Sequence, residues 1–484
     1  MSTKAAGGSK KLSSLSAWAF SFACAVGWAA FVMPATVFLP RGGILGSVLA
    51  FLLGTIAMGV IAMNYHFLGN TFSGQGGIYN LVLVSMNRTS AFIATWGLGL
   101  AYLCCICLNA KAMAMLCRSI IEETLTWDFN VYFLESDTLF IEAAIVLLSL
   151  IFFAVINIRG IKHTARVQTV GAIALLAGIV IMLFAALFTA KKPFHAFTPL
   201  LPPDTIPIQG FVSLSLMIPW AFVGFDSLSK VSDELDFPVK RLGRIMLIAV
   251  GCAGFAYIAN IFTTLIGVPE EYASWPEYLA SFSNAVGVKS YPIAVISKNA
   301  MGKMGTAVFF IATFSATLTG LLGFSTTLSH LVSRIAEYGL IAPSLSVRHP
   351  KLGTPSRAIW LVFFMALIMS LMRDSFDFIE EIASVGTSVG FLFCSLSALL
   401  CAVNKGQKKY IVTGAVGAVL SLLWIVFSFI PIKGFSVMLT AKAMFLLSVW
   451  VFLGIAVYSL NLRRRTQIDI DLDYAGKERR DRNA

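Results

Sequence analysis

Two short segments of this sequence place glycine, proline and a polar or aromatic residue inside long apolar stretches. The first, residues 26–34, contains Gly27 and ends in proline, and the second, residues 219–226, begins with proline and contains Gly224 and Asp226. Proline has no backbone N–H to donate, and it disfavours helical geometry in the residue before it. Both segments are therefore expected to interrupt a helix and to free main-chain N–H and C=O groups.

Such freed groups suit a small zwitterionic solute. N–H groups at the start of a half-helix can hold a carboxylate, and freed carbonyl groups can hold an ammonium group. In hydrocarbon an unpaired backbone group costs several kcal/mol, so non-helical backbone occurs only where it is buried in protein or lines a wet cavity. The interruptions at Gly27 and Gly224 therefore predict one binding site. The alternative is that both are tolerated kinks, which are common in membrane helices.

The interruptions lie in a strongly apolar chain of 484 residues, of which 58% are hydrophobic and 12% charged, whereas soluble domains carry charge on about a quarter of positions. Twelve apolar runs approach the length at which an α-helix crosses about 30 Å of hydrocarbon. These predicted spans are residues 14–39, 43–68, 90–119, 139–158, 169–190, 211–231, 245–267, 306–336, 358–372, 379–403, 410–430 and 435–460. The first run is too long for a signal-peptide core, so it is expected to be retained.

The two interruptions fall in spans 1 and 6, five spans apart. Interrupted spans at corresponding places in two halves indicate a transporter built from inverted repeats, with its site at the bilayer midplane. The sequence therefore predicts an all-α membrane protein of 12 transmembrane helices, in which residues 14–190 form inverted repeat 1 and residues 209–403 form inverted repeat 2.

Charge distribution predicts the orientation. Most of the 36 Lys and Arg residues lie in the tails and in the loops after even-numbered spans, and short loops rich in these residues stay in the cytoplasm. Both tails, residues 1–13 and 461–484, are thus expected to be cytoplasmic. This topology accounts for the net charge of +12, so no nucleic-acid partner is indicated. The His and Cys spacing predicts no metal site, no cofactor is indicated, and no nucleophile and base pattern suggests an enzyme.

Further segments carry family-like patterns. Residues 74–79 read Gly-Gln-Gly-Gly-Ile-Tyr, residues 157–168 begin Asn-Ile-Arg-Gly and end Arg-Val-Gln, and residues 333–355 begin Ser-Arg and end Thr-Pro. Together with residues 27–34 and 222–238, they resemble the amino acid/polyamine/organocation transporter superfamily from span 1 to span 10. Within that superfamily the chain looks similar to bacterial basic amino acid/polyamine antiporters of the arginine/agmatine type.

The resemblance implies two inverted repeats of five helices, with helices 1 and 6 discontinuous, two peripheral helices in residues 410–460, and alternating access around a central site. It also implies substrate-binding positions at both breaks and on spans 3, 8 and 10. These are Gly27, Trp28, Ala29, Asn109, Trp220, Phe222, Gly224, Phe324, Ser384 and Thr387. Trp220 would close over bound substrate, although it and Phe324 fit equally well as ordinary core aromatics.

Three positions depart from the family pattern. Trp28 and Ala29 replace the small Ser and the second Gly of the usual span 1 loop, which predicts either a tighter carboxylate cradle or a differently placed substrate. Leu175 stands where many sodium-independent carriers have a lysine in span 5. The arginine/agmatine type also lacks that lysine, so this departure fits exchange.

Two ionisable side chains at bilayer depth are candidates for function, because inserting such a group is costly. Asp226 could attract a cationic group or take up a proton during the cycle; equally, it could cap the second half of span 6 or meet a basic residue at the cytoplasmic gate. Lys111 could extend to the outer membrane surface, bind a carboxylate, or pair with Asp226.

The expected function is secondary active transport of amino acids or related amines across the cytoplasmic membrane by exchange. A proton-coupled symporter for neutral amino acids is the alternative. A channel or receptor on the same hydrophobic frame is the alternative from another class, although no sizeable soluble domain is present to support a receptor. The expected partners are a small-molecule substrate and the lipid bilayer, and the oligomeric state stays open.

Overall fold

The structure, a computed structural model, describes residues 12–72, 77–124, 140–202, 207–238, 241–372, 375–430 and 439–461. The helices of the first half are α1 (Ser14–Ala25), α2 (Ala29–Met33), α3 (Leu39–Thr71), α4 (Gly77–Ser85), α5 (Arg88–Thr124), α6 (Phe140–Ile158), α7 (Ile161–Thr189) and α8 (Pro207–Phe222). Those of the second half are α9 (Leu242–Ile266), α10 (Trp275–Ala280), α11 (Pro292–Met301), α12 (Lys303–Glu337), α13 (Ser356–Ser370), α14 (Ser375–Asn404), α15 (Lys408–Phe429) and α16 (Ala441–Asn461).

Ten helical segments of the described ranges are long and apolar enough to cross a membrane, and α1 and α13 are shorter apolar helices. The predicted boundary between spans 1 and 2, at residues 40–42, lies next to a turn of the backbone in the structure. Residues Ala29–Thr71 form one long segment that is interrupted at Gly43, where φ is 61°. A β-carbon at Gly43 would lie 2.7 Å from the carbonyl oxygen of Leu200, so glycine permits this turn and this close approach.

Both predicted interruptions are present. The helix α1 ends at Ala25, Val26 is extended, and α2 begins at Ala29. The helix α8 ends before Gly224, where φ is 108°, and a 3₁₀-helix continues over Phe225–Glu234.

The prolines do not themselves break the helices. Pro34 begins a π-helical turn over Pro34–Phe38, and Pro219 lies inside α8. A π-helical turn re-routes the backbone hydrogen bonds, so the helix continues past a residue that has no N–H. The first break therefore lies about two turns upstream of its proline, at the glycine.

Small residues let the central helices pack closely. A β-carbon at Gly386 of α14 would lie 2.6 Å from the carbonyl oxygen of Gly97 of α5. Backbone contact of this kind is a common way for membrane helices to associate. On the outer surface, large apolar side chains such as Phe188 and Phe452 are exposed, as expected for surfaces that face lipid.

Several sequence predictions fall outside the described residues. These are residues 74–76 of the Gly-Gly-x-Tyr segment, residues 435–438 of span 12, and most of the two tails, residues 1–11 and 462–484.

Candidate functional site

A cavity lies where the two helix interruptions meet. It is lined by Cys24, Gly27, Trp28, Ala29, Met33, Cys105, Leu108, Asn109, Trp220, Ala221, Val223, Tyr257 and Phe324. Six of the predicted substrate-binding residues are in this lining, namely Gly27, Trp28, Ala29, Asn109, Trp220 and Phe324. The structure thus brings both breaks, one face of α5, the end of α8, α9 and α12 around one space.

The cavity is small and its lining is uncharged. Its volume is about 40 Å³, which is room for about three water molecules. None of these lining residues is Asp, Glu, Lys or Arg. A solute with a bulky side chain would need the surrounding side chains to move, and the cavity offers no fixed charge to a cationic side chain.

Side chains of α9 hold the backbone at both breaks. The Tyr257 hydroxyl donates to the carbonyl oxygen of Ala221 at 2.8 Å, and the Asn260 amide donates to that of Ala30 at 2.8 Å. These two carbonyl groups lie at the end of α8 and near the start of α2, where the helical ladder is broken. Since buried carbonyl groups need partners, α9 stabilises the interrupted conformation.

Asn109 carries the distinctive polar atom of the cavity. Its Nδ2 donates to the carbonyl oxygen of Cys105 at 2.8 Å. Its Oδ1 is buried and has no hydrogen-bond partner among the described residues, and it lies 3.7 Å from where a β-carbon of Gly27 would be. A buried acceptor without a partner is costly, so a donor from a bound solute would satisfy it.

Four predicted site residues, Phe222, Gly224, Ser384 and Thr387, lie outside the lining. The Ser384 hydroxyl donates to the carbonyl oxygen of Leu216 at 2.5 Å, and the Thr387 hydroxyl donates to a carbonyl of its own preceding turn at 2.7 Å. Phe222 is buried against aromatic rings of α3 and α9. These four residues therefore do not contribute to the lining of the cavity in this structure.

Asp226 is fully buried beside the second break and is part of a charged cluster. Its carboxylate forms an ion pair with Lys230 and accepts hydrogen bonds from Tyr102 at 2.6 Å and Tyr65 at 3.3 Å. Its other oxygen accepts from the Gly224 N–H at 3.2 Å. The Lys230 Nζ also lies 5.3 Å from the ring centroids of both tyrosines. The cluster therefore ties the 3₁₀-helix to α3 and α5.

The predicted pair between Lys111 and Asp226 is wrong. Lys230, four residues after Asp226, forms the ion pair. Tyr102, which contacts Asp226, lies nine residues before Lys111 on α5, and nine residues of α-helix rise about 13 Å. Of the alternatives open for Asp226, the structure shows the contact with a basic residue.

The family assignment follows from comparison with known sequences. A profile of the family described as amino acid permease matches residues 12–457. The chain belongs to this family. The branched-chain amino acid permease BcaP of Bacillus subtilis is 21% identical over 451 residues, which is 92% of this chain and 91% of that protein.

Two further relatives of the permease are similar over most of its length. The large neutral amino acids transporter small subunit 2 of Mus musculus is 27% identical over 369 residues, 74% of this chain and 64% of that protein. The L-methionine/branched-chain amino acid exporter YjeH of Escherichia coli is 21% identical over 402 residues, 82% of this chain and 87% of that protein. These proteins are transporters rather than enzymes.

Several residues that the structure of the permease places at the site were not predicted from the sequence. Cys105 shares the inward face of α5 with Asn109, and its spacing of one helical turn could have revealed it. Lys230 lies four residues after Asp226, a spacing that also brings side chains together. No local signal points to Tyr65 or Tyr102, because they come from other spans.

Proposed function

We propose that this permease is a secondary active transporter of neutral amino acids with apolar side chains, and that they bind in the cavity between the two helix breaks. The observation that carries this proposal is the lining itself. It combines one unsatisfied polar acceptor, Asn109 Oδ1, with uncharged and mostly apolar or aromatic side chains. The names of the three relatives refer to branched-chain amino acids, methionine and large neutral amino acids, and they support the same substrate class.

The polar end of the substrate meets Asn109 and the breaks. In our proposal the ammonium group donates to Asn109 Oδ1, and the carboxylate lies at the Gly27 break, where the chain is not helical. Trp220 and Phe324 then contact the apolar side chain. Trp28 and Ala29, which replace smaller family residues, narrow the carboxylate end of the cavity.

Transport proceeds by alternating access in this proposal. The repeats are residues 14–190 and 209–403, residues 410–460 are peripheral, and both termini are cytoplasmic. Two observations support a site that stays intact while the surrounding helices move. The two breaks lie five spans apart, and side chains of α9 hold the backbone at both of them. The Asp226 cluster lies next to the second break and joins α3, α5 and the 3₁₀-helix, which makes it a gate on one side of the cavity.

Exchange is the transport mode that we propose. The Asp226 carboxylate already has Lys230 as a fixed counter-ion, so it needs neither a substrate cation nor a bound proton for charge neutrality. Leu175, buried in α7, supplies no titratable group. A proton-coupled symporter of neutral amino acids is the alternative that the experiment below separates.

Counterflow in liposomes tests substrate and mode together. Purified permease in liposomes loaded with unlabelled leucine is expected to take up radiolabelled leucine with saturation. Excess isoleucine or methionine should compete, whereas arginine and agmatine should not. Trp220→Ala should weaken uptake, while Trp360→Ala, at an exposed tryptophan of α13, serves as the control.

Each other outcome contradicts a named part of the proposal. Preferred uptake of arginine or agmatine would overturn the neutral substrate class. Uptake into unloaded liposomes that requires a pH gradient and stops with a protonophore would establish symport instead of exchange. Conductance without saturation in planar bilayers would indicate a channel.

A further inference from the structure

A second cavity lies apart from the site, between α5, α12, α13 and α16. Its volume is about 210 Å³. Leu103, Leu328, Val332, Met365 and Val457 are among its lining residues, and it reaches Leu453, whose exposed fraction is 46%. The cavity therefore opens toward the surface that faces lipid.

The polar side chains in this lining already have partners. The Trp96 Nε1 donates to the carbonyl oxygen of Trp450 at 3.0 Å, and the Trp450 Nε1 donates to that of Trp96 at 3.2 Å. The Thr95 hydroxyl donates to the Ala91 carbonyl at 2.7 Å. A buried water needs two to four polar partners, and the lining offers no free side-chain group to water. The cavity suits an apolar occupant, because an unfilled apolar cavity destabilises a fold in proportion to its volume.

Two arginines contact carbonyl groups that are close in sequence to lining residues of the cavity. Arg88 donates to the carbonyl oxygen of Tyr338 at 3.5 Å, three residues before the lining residue Ile341. Arg357 is exposed and donates to the carbonyl oxygen of Ser344 at 3.5 Å, next to the lining residue Leu345. Both arginines lie at helix ends on the side of the membrane that the distribution of Lys and Arg predicts to be the cytoplasmic side. Guanidinium groups at a membrane surface attract phosphate groups of anionic lipids.

We propose that this cavity binds one anionic phospholipid of the surrounding bilayer. One acyl chain fills the space between α5, α12, α13 and α16, and the headgroup phosphate contacts Arg88 and Arg357. The bilayer supplies such chains at the level of the cavity opening beside Leu453. The chain is an apolar ligand, and the flanking positive charge gives the site its preference for an acidic headgroup.

The position of this lipid links it to the permease site. The helices α5 and α12 line both cavities; Asn109 and Phe324 belong to the first, and Leu103 and Leu328 to the second. The lipid therefore fills the space between two helices that carry site residues, and it supports the weakly buried α16 against them.

Native mass spectrometry of the full-length permease in detergent tests the proposal, with phosphatidylglycerol and phosphatidylcholine as probes. The unaltered permease should retain one phosphatidylglycerol more tightly than phosphatidylcholine. Val332→Phe fills the cavity and should weaken phosphatidylglycerol retention about tenfold. Val412→Phe, at a residue of α15 whose exposed fraction is 61%, is the control and should leave it unchanged.

The headgroup contact has its own variant. The double variant Arg88→Gln/Arg357→Gln should lose most of the preference for phosphatidylglycerol over phosphatidylcholine. Each arginine is expected to contribute about fivefold to this ratio of retention. Arg244→Gln, at an exposed arginine of α9, should not. If Val332→Phe fails to fold, Val457→Phe fills the same cavity from α16. Two outcomes would overturn the proposal. One is that a folded cavity-filling variant retains phosphatidylglycerol as tightly as the unaltered permease does; the other is that the unaltered permease retains the two lipids equally.

Discussion

The Tyr102 hydroxyl donates a 2.6 Å hydrogen bond to the Asp226 carboxylate, which also pairs with Lys230. This contact joins α5, which carries Asn109, to the 3₁₀-helix that follows the break at Gly224. Because both charges of the ion pair are buried, each depends on the other for its stability. The cluster is thus both a structural link between spans and the element that we propose to act as a gate.

The ion pair should behave as a unit in mutagenesis. Asp226→Asn or Lys230→Met alone leaves one buried charge without its partner, and each should lower the free energy of unfolding by about 3–5 kcal/mol. The double variant should lose clearly less than the sum of the two. Thermal unfolding of the purified permease measures this coupling.

The pair between Arg118 and Glu142 is the control, since the Arg118 side chain is 36% exposed. Breaking this pair should change the free energy of unfolding by less than about 1 kcal/mol. Additive losses at Asp226 and Lys230 would show that the two charges are not coupled as the structure indicates.

The two break glycines should respond differently to alanine. At Gly27 a β-carbon would meet Asn109 Oδ1 at an ordinary 3.7 Å, whereas at Gly224 it would lie 2.6 Å from the β-carbon of Cys24, in a left-handed conformation. Gly27→Ala should fold and raise the KM for leucine, because the new methyl group narrows the cavity. Gly224→Ala should lower Tm and expression. Melting curves and transport assays of both variants test this difference. A larger loss of Tm in Gly27→Ala than in Gly224→Ala would contradict the geometry at the two breaks.

Asn109 should affect substrate binding more than stability. Asn109→Ala removes the acceptor that we propose for the ammonium group. A hydrogen bond to a charged group contributes about 1.5–3 kcal/mol, so its loss should raise the KM by about tenfold or more. The control is Asn64→Ala, because Asn64 donates to Ser395 and Thr413 away from the cavity. That variant should lower Tm without a comparable rise in KM, and equal effects on KM would argue against a binding role for Asn109.

The attachment of α16 should depend on Gly454. A β-carbon there would lie 2.5 Å from Trp96 Nε1, so Gly454→Leu should separate α16 from α5 and disrupt the reciprocal hydrogen bonds of Trp96 and Trp450. Hydrogen exchange over residues 441–461 should become faster. The control is Gly251→Leu, which makes the same change at a helix glycine with open space around it. If hydrogen exchange over residues 441–461 were unchanged in both variants, the close packing of Gly454 against Trp96 would be contradicted.

Parts of the site could be predicted because their signals are local. Gly27 and Gly224 each lie close to a proline and to a polar or aromatic residue inside an apolar span, and this local combination identified both breaks. The prolines were weaker guides, since a π-helical turn accommodates Pro34 and α8 continues through Pro219. The turn at Gly43 falls at the predicted boundary between spans 1 and 2, but the close approach of Leu200 that requires glycine there is not visible in sequence.

By itself the sequence determined that the chain is a helical membrane protein with two interrupted spans and a family pattern of transport. These properties follow from composition, span length and local backbone chemistry. Only the tertiary structure decided which side chains share a space. Asp226 meets Tyr65 and Tyr102 across 161 and 124 residues of sequence, and the uncharged lining of the cavity comes from six helices. Such contacts depend on how spans pack against one another, which a single sequence does not encode as a local pattern.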